Sequence, residues 1–171
     1  RVMPHLHLSL QHGHDLILKR MRRRHSRADA IDLAGRLKAR RPEIAIGADL
    51  IAGFPTETED MHRANLSIVD ELDIVHGHVF PYSQRPRTPA ARMPQVDRAV
   101  IKRRATELRE AVARRRTAWL QSLIGTTQVV LAEADGTGHA ENFARVALPG
   151  GTPRGTLHSV TPEDLFEGIL R

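Results

Sequence analysis

The sequence contains no cysteine among its 171 residues. It therefore excludes disulfides, zinc–thiolate sites and iron–sulfur clusters held by its own side chains. Phe, Trp and Tyr together make up only 4% of the residues, so a broad aromatic platform for stacking nucleic-acid bases is not expected. No apolar run approaches the ~18 residues that a membrane-spanning helix needs. A cytoplasmic protein without a membrane segment is the expectation.

Positive charge is in excess. Lys and Arg number 26 against 20 Asp and Glu, which gives a net charge of +6. A basic surface favours a polyanionic partner without identifying it. The length fits one ordinary domain, or one domain with a small module attached.

The first distinctive stretch, "MPHLHLSLQHGHD", alternates leucines with polar residues. In an extended chain the odd-numbered positions from His5 to Gln11 share one face, and Leu6, Leu8 and Leu10 share the other. An aliphatic outer face and a polar inner face are typical of a barrel strand. His12 and His14 follow the strand, where solvated turn residues are expected.

Two later apolar runs, "EIAIGADLIAGFP" and "DIVHGHVFPYS", are typical of strands, the first covered on both faces. Helices are predicted between the strands. The first is a short basic helix in "DLILKRMRRR", and the second runs from a capping box of Ser26 and Asp29 to Pro42. The third follows the first apolar run, with Thr56 and Glu59 as candidates for its N-terminal cap. This alternation predicts right-handed βαβ units and an α/β fold with a parallel sheet.

The remainder of the chain changes character twice. A single long helix is predicted over residues 96–124, with an apolar stripe and otherwise basic faces. Beyond Gly125, short β-like runs separated by glycine-rich turns predict a small antiparallel barrel that leans on the long helix. We therefore expect three parts, at 1–95, 96–124 and 125–171.

Two His-x-His pairs, at 5–7 and 76–78, are separated by Asp49. Because both imidazoles of such a pair point to one side of a strand, the pattern allows a metal-dependent hydrolase. The same pattern arises from polar positions inside or at the rim of a barrel. The hydrolase stays open as an alternative at this point.

A stronger signal is the ordered combination of "HLHLSLQHGHDLILKRMRRR", "DLIAGFPTETED" and "HVFPYSQRPRTPAARMP". It resembles the radical S-adenosylmethionine (SAM) methylthiotransferases, more narrowly the MtaB type, which adds a methylthio group to C2 of N6-threonylcarbamoyladenosine next to the anticodon of tRNA. The tail from about residue 120, with "GHAENFARVAL", is similar to the RNA-binding TRAM module of these enzymes. The resemblance covers nearly the whole chain.

The resemblance implies a partial TIM-like barrel that holds SAM at the carboxyl ends of parallel strands. The residues it assigns to the cofactor pocket are Gln11, Ile51, Gly53, Phe54, Pro55, Phe80 and Tyr82. RNA binding needs cations and stacking surfaces, for which the candidates are Arg103, Arg104, Arg115, Phe143 and Arg145. No residue of this chain is assigned a catalytic or metal-binding role.

The family's reaction also uses two [4Fe–4S] clusters, whose cysteine ligands this sequence lacks. The resemblance therefore implies a C-terminal portion that needs the N-terminal half of the same protein and is inactive alone. We expect an unclosed sheet of three strands whose leading edge pairs with polypeptide outside this chain. The competing hypothesis is a stand-alone RNA-binding module with a vestigial barrel half.

Three departures from the family pattern concern the cofactor pocket. His12-Gly13-His14 stands where the family usually has Ser-Gly-Ser, and both Thr56 and Arg87 stand where it usually has glycine. A threonine can still cap a helix. Bulky side chains at the other positions predict a pocket of altered shape.

Overall fold

The structure, a computed structural model, describes residues 2–171. Its first layer is a parallel sheet of three strands in the order β1-β2-β3. The strands and the helices that connect them are β1 (His5–Gln11), α1 (Asp15–Arg20), α2 (Arg27–Arg40), β2 (Ala45–Ala52), α3 (Glu59–Glu71) and β3 (Ile74–Pro81). The predicted parallel βαβ arrangement is confirmed. Among the described residues β1 pairs only with β2, as expected of an unclosed sheet.

Some of the helix ends lie where the sequence predicts them. Ser26 and Asp29 form the predicted capping box at the start of α2. Helix α1 is shorter than predicted and ends at Arg20, because Arg22 adopts a positive φ of 57° in the turn that follows.

The predicted cap of α3 is wrong. The side chain of Thr58, not of Thr56, accepts a hydrogen bond from the backbone N–H of Met61. Thr56 instead lies in the preceding turn with a left-handed φ of 69°. The chain therefore needs two more residues than predicted to pass from the end of β2 into the helix.

The strand β2 is central, and its side chains alternate between two environments. Ile46, Ala48 and Leu50 are fully buried in the main hydrophobic core, together with residues of α3 and of the long helix that follows β3. Gly47 points to the other face, where an added Cβ would lie 2.4 Å from Nδ1 of His7. The glycine is therefore needed for the imidazole to lie across the strand.

After β3, a short 3₁₀ helix (Pro89–Arg92) leads into the predicted long helix, α4 (Arg98–Ser122), which begins with Asp97 as its cap. α4 packs closely on β3, since a Cβ at Gly77 would lie 2.6 Å from Cγ2 of Val112. No helix within residues 2–171 is both long and apolar enough to cross a membrane.

The tail differs from the predicted antiparallel barrel. It forms a six-stranded sheet in the order β7-β4-β5-β6-β9-β8. Its strands are β4 (Gln128–Ala132), β5 (Thr137–Ala140), β6 (Arg145–Ala147), β7 (Leu157–Val160), β8 (Leu165–Phe166) and β9 (Ile169–Leu170). The sheet is mixed because β6 and β9 pair in parallel. In the part of the chain that the structure describes, β7 and β8 remain edges and no barrel closes.

A tight hairpin explains the parallel pair. Glu167 and Gly168 both adopt positive φ, at 49° and 78°, as a two-residue turn between short antiparallel strands requires. The hairpin returns Leu170 beside Val146 in the core of the tail. Trp119 and Leu120 of α4 share this core, so the prediction that the tail leans on the long helix is confirmed. The division at residues 95 and 124 stays a prediction.

Candidate functional site

One face of the parallel sheet carries polar side chains from all three strands. The strand register places His7 beside Gly47, Gly47 beside His76, and Asp49 beside His78. The opposite face packs against the helices, as the leucine alternation of β1 predicted. A polar sheet face outside the hydrophobic core is a surface on which polar ligands can be held.

The centre of this face is a cluster of two imidazoles and one carboxylate. Nε2 of His7 lies 3.0 Å, and Nδ1 of His78 3.3 Å, from the same oxygen of Asp49. The three residues offer ligand atoms within 4.8 Å of one another. Three such ligands could hold a metal ion with an open position, but the hydrogen bond from His7 and the close approach of His78 to the carboxylate explain the geometry equally well.

A cleft opens at the carboxyl ends of β1 and β2. It has a volume of about 380 Å³, and its lining includes Gln11, Ile51 and Phe54, three of the predicted cofactor residues. The segments 20–23 and 88–90 complete its walls. An apolar wall, an amide and a guanidinium thus meet where ligands of parallel α/β sheets usually bind.

The other predicted cofactor residues surround this cleft without lining it. Phe80 is the register partner of Ile51 and is 51% exposed on the open face. The ring of Tyr82 packs edge-on against Phe54, with 5.4 Å between ring centroids. Pro55 is buried in the turn. Gly53 lies against α4.

A left-handed turn explains this glycine. Its φ is 74°, and a Cβ there would lie 2.5 Å from Cγ1 of Ile101. The close approach of α4 therefore favours glycine at this position, and the assignment of Gly53 to the cofactor pocket stays a prediction. The residue still shapes the turn that carries Phe54.

Behind this turn lies a buried carboxylate that sequence reasoning missed. Glu57 accepts hydrogen bonds from the backbone N–H groups of Gly53, at 2.6 Å, and Phe54, at 3.0 Å. His12 approaches its carboxylate to 3.7 Å, and Arg104 to 3.5 Å. The only signal in the sequence was a Glu two residues after Gly53-Phe54-Pro55, which resembles an ordinary exposed residue near a helix start.

Electrostatics hold Glu57 in its charged form. Burial opposes the charge, but the imidazoles of His12 and His62 and the guanidinium of Arg104 outweigh it and lower the pKa of the carboxyl to about 2. Burial lowers the pKa of His12, so this ring stays neutral near pH 7. Its Nδ1 accepts a hydrogen bond from the backbone of His14, which leaves Nε2–H directed at Glu57.

The solvated position predicted for His12 is wrong, since the residue is 0% exposed. Gly13 causes this burial, because its N–H donates to the side chain of Asn65 and a Cβ there would lie 2.4 Å from the carbonyl oxygen of Ala64. The turn is thus pressed onto α3. His14 acts as the cap of α1 by accepting from the N–H of Leu16.

The three predicted RNA-binding arginines of α4 have partners inside the chain. Arg103 binds Glu59 at 3.0 Å and Glu107 at 2.8 Å. Arg104 is only 4% exposed and binds the carboxylate of Glu59 at 3.1 Å. Arg115 pairs with Asp73. Their contact with RNA stays a prediction, and the structure directs each of them to a carboxylate.

The two predicted RNA-binding residues of the tail are also engaged. Arg145 pairs with Asp135. Phe143 is 50% exposed, and its ring lies 4.5 Å from that of His5 on the parallel sheet. The loop that carries Phe143 thereby joins the tail to the polar face of β1.

His76 strengthens this junction. Its Nε2 donates to the carbonyl oxygen of Asn142 at 3.2 Å, and its Nδ1 accepts from Arg116 at 2.7 Å. Burial and the neighbouring charge of Arg116 lower the pKa of His76 to about 4. The neutral ring therefore links the first sheet, the long helix and the tail.

The fold and site define an α/β protein with a ligand cleft at the carboxyl ends of parallel strands and a β-sheet module docked at the other end of its polar face. No family model matches the chain. It is 42% identical over all 171 residues to the threonylcarbamoyladenosine tRNA methylthiotransferase MtaB of Rickettsia prowazekii, of which it covers 41%.

Two further relatives are named tRNA-2-methylthio-N(6)-dimethylallyladenosine synthase. The one from Ruegeria sp. is 41% identical over 136 residues, which is 80% of this chain and 31% of the relative. The one from Corynebacterium urealyticum is 37% identical over 171 residues, 99% of this chain and 31% of the relative. Over its whole length the chain matches a portion of proteins named as tRNA methylthiotransferases, and it spans less than half the length of these relatives. The hydrolase alternative is not favoured.

Proposed function

We propose that this chain is part of a radical SAM methylthiotransferase that adds a methylthio group to C2 of N6-threonylcarbamoyladenosine in tRNA. The observation that carries the proposal is the 42% identity across the whole chain to a relative named for that nucleoside. The position of Gln11, Ile51 and Phe54 in one cleft at the strand ends supports it. The chain's own role is to form one wall of the cofactor site and to bind tRNA.

The residues of the cleft fit one side of SAM. Ile51 and Phe54 offer an apolar wall to a nucleoside, and the amide of Gln11 offers a donor and an acceptor. Arg22, exposed at the same cleft, offers a cation to a carboxylate. Bound SAM would supply the radical and the methyl group, and these residues would hold it and exclude water from it.

The iron–sulfur clusters do not fit this chain, because it has no cysteine to ligate them. We place their ligands in other polypeptide of a longer protein. The free edge of β1 supports this, together with a neighbouring groove of about 380 Å³ that includes Leu8, Leu10 and Leu33 in its lining. A strand added at this edge would continue the sheet and cover the groove.

The reaction is tested in a strain from which the complete gene is deleted. tRNA nucleosides are analysed by mass spectrometry, and we expect the methylthio group to be lost from threonylcarbamoyladenosine and to return when the complete gene is restored. Normal methylthiolation in the deleted strain would overturn the proposal. Loss from a dimethylallyladenosine nucleoside instead would reassign the substrate.

The cofactor wall is tested separately by Gln11→Ala in the complete protein. Loss of a buried hydrogen bond weakens binding by about tenfold, which equilibrium dialysis with radiolabelled SAM measures. The matched control is Gln121→Ala on the exposed surface of α4. Equal SAM affinities of the two variants would remove Gln11 from the site.

A further inference from the structure

A second cleft lies between the segment that follows β3 and the N-terminal half of α4. It is the larger of the two, with a volume of about 650 Å³. The residues that matter for its chemistry are Tyr82, Gln84, Gln95, Arg98, Lys102 and Arg109. Three cations therefore line this cleft, and none of its lining residues carries a carboxylate.

The cations of this cleft differ from three other arginines of α4. Arg103, Arg104 and Arg115 are all paired with carboxylates, whereas Arg98, Lys102 and Arg109 have no such partner within residues 2–171. Unpaired, exposed cations on one wall of a concave surface raise the local concentration of anions. The three cations of the cleft are thus not held by carboxylates, although Arg109 donates a 3.3 Å hydrogen bond to the carbonyl oxygen of Val79.

The spacing of these cations indicates an extended ligand. Arg98 and Lys102 are one turn apart on α4, and Arg109 lies 11 residues after Arg98, about three turns along the same helix face. At ~1.5 Å of rise per residue the set extends over ~16 Å. A single phosphate would need converging cations, whereas a row of this length suits successive phosphates of one strand.

The wall opposite the helix adds polar groups. The hydroxyl of Tyr82 is buried and has no hydrogen-bond partner in the described part of the chain. The side-chain N–H of Gln84 donates to the carbonyl oxygen of Ala91, at 3.0 Å, which anchors this segment. Because this oxygen is shielded from solvent, a ligand in the cleft would reach the hydroxyl only after the Tyr82 side chain moved, so the proposed phosphate contact rests on the cations.

We propose that this cleft binds the phosphodiester backbone of the tRNA. The inference rests on the proposed function for the identity of the nucleic acid, and it names the surface of this chain that binds the tRNA. Contacts of this kind position the RNA without reading its bases. The five residues predicted from the sequence are not required for this contact.

The test compares two triple variants of equal charge. The cleft variant combines Arg98→Gln, Lys102→Gln and Arg109→Gln. The control variant removes three exposed cations elsewhere, by Arg40→Gln, Arg114→Gln and Arg154→Gln. Binding of fluorescein-labelled tRNA is measured by anisotropy between low and moderate salt. The single reversal Lys102→Glu serves as a second variant, and circular dichroism checks that every variant is folded.

We expect the cleft variant to bind tRNA at least tenfold more weakly near ~0.1 M salt, with a salt slope shallower by about two to three. The control variant should change affinity less than about threefold, and Lys102→Glu should weaken binding more than any single control substitution. Equal losses in the two triple variants overturn this inference and leave the proposed function in place. A wild-type chain without affinity for tRNA overturns both.

Discussion

The backbone N–H of Gly53 donates a 2.6 Å hydrogen bond to the carboxylate of Glu57, four residues later in the chain. The same oxygen accepts from the N–H of Phe54. A buried charge thus fixes the turn that carries one wall of the proposed SAM cleft. Glu57 touches no ligand surface itself, so it is a positioning residue.

Replacing Glu57 with Gln should destabilise the protein by about 3 kcal/mol, because the buried guanidinium of Arg104 would lose the buried carboxylate that lies 3.5 Å away. Urea unfolding measures this change. The matched control is Glu59→Gln, whose carboxylate is exposed and should contribute less than about 1 kcal/mol. Equal effects of the two substitutions would contradict the assignment of Glu57.

The lowered pKa of Glu57 also predicts that the free energy of unfolding falls at acid pH. Its pKa is lowered from 4.5 to about 2 in the folded protein, so the unfolded chain binds the proton more readily between these values. This contribution to stability is complete above about pH 4.5 and is lost as the pH falls toward 2. Thermal unfolding of Glu57→Gln should show a flatter dependence on pH across that window than the unmodified chain.

A second pH dependence is expected at the junction of the two sheets. The pKa of His76 is lowered from 6.5 to about 4, so protonation favours the unfolded chain, and stability is lost as the pH falls from 6.5 toward 4. Burial of the ring is the larger cause of this lowered pKa, and repulsion by Arg116 adds to it, because Nδ1 can no longer accept from Arg116 once it is protonated. The contribution is on the order of 2 kcal/mol.

His76→Gln should flatten the stability profile between pH 7 and pH 4, as measured by urea unfolding at each pH. The matched control is His78→Gln, on the same strand and the same polar face but exposed and away from the tail. An identical profile for His76→Gln and the unmodified chain would contradict a neutral ring at the junction.

The two places where the chain replaces the family's usual glycine are both left-handed. Thr56 has a φ of 69° and Arg87 a φ of 67°. A residue with a Cβ costs about 1 kcal/mol in this conformation. The departures seen in the sequence therefore correspond to local backbone strain.

Arg87→Gly should raise the free energy of unfolding by about 0.5–1 kcal/mol, because the strain is removed and the exposed side chain has no ion pair among the described residues. Differential scanning calorimetry measures the change. Arg85→Gly, two residues earlier and without a positive φ, should instead destabilise slightly. Destabilisation by both substitutions would contradict the account.

Periodicity predicted the elements that are long and regular. Helix α4 and the polar face of β1 follow from helical spacing and strand alternation over seven or more residues. Strands β2 and β3 follow from their apolar runs, and α2 from its capping box and the proline after it. The tail strands have between two and five residues, too few to define a period. The parallel pairing of Val146 with Leu170 joins segments 24 residues apart, so no local pattern contains it.

The charged residues of the site were the hardest to predict. His12 and Glu57 look solvated in the sequence, since each is polar and lies in a turn. Their burial depends on how closely α3 and α4 approach the ends of the strands, which is a tertiary property. The same applies to Arg104, whose position in a basic run concealed a structural role.

Variants of Arg104 distinguish a role of this residue in stability from a role in RNA binding. Its guanidinium donates to the backbone carbonyl of Glu57 at 2.8 Å and pairs with two carboxylates, of which the one on Glu57 is buried. Arg104→Ala leaves that carboxylate without a cation, and it should lower the free energy of unfolding by about 3 kcal/mol. Arg103→Ala, at an exposed pair, should cost less than about 1 kcal/mol.

Because Arg104 is only 4% exposed, its removal should leave the tRNA affinity of the folded fraction within about twofold of the unmodified chain. Urea unfolding gives the stability of each variant, and anisotropy well below the unfolding temperature gives its affinity for tRNA. A stable Arg104→Ala variant with a tenfold or greater loss of tRNA binding would show that the guanidinium turns outward to RNA. The opposite pattern, lost stability with retained affinity, identifies Arg104 as the cation that supports Glu57 beneath the Gly53–Phe54 turn.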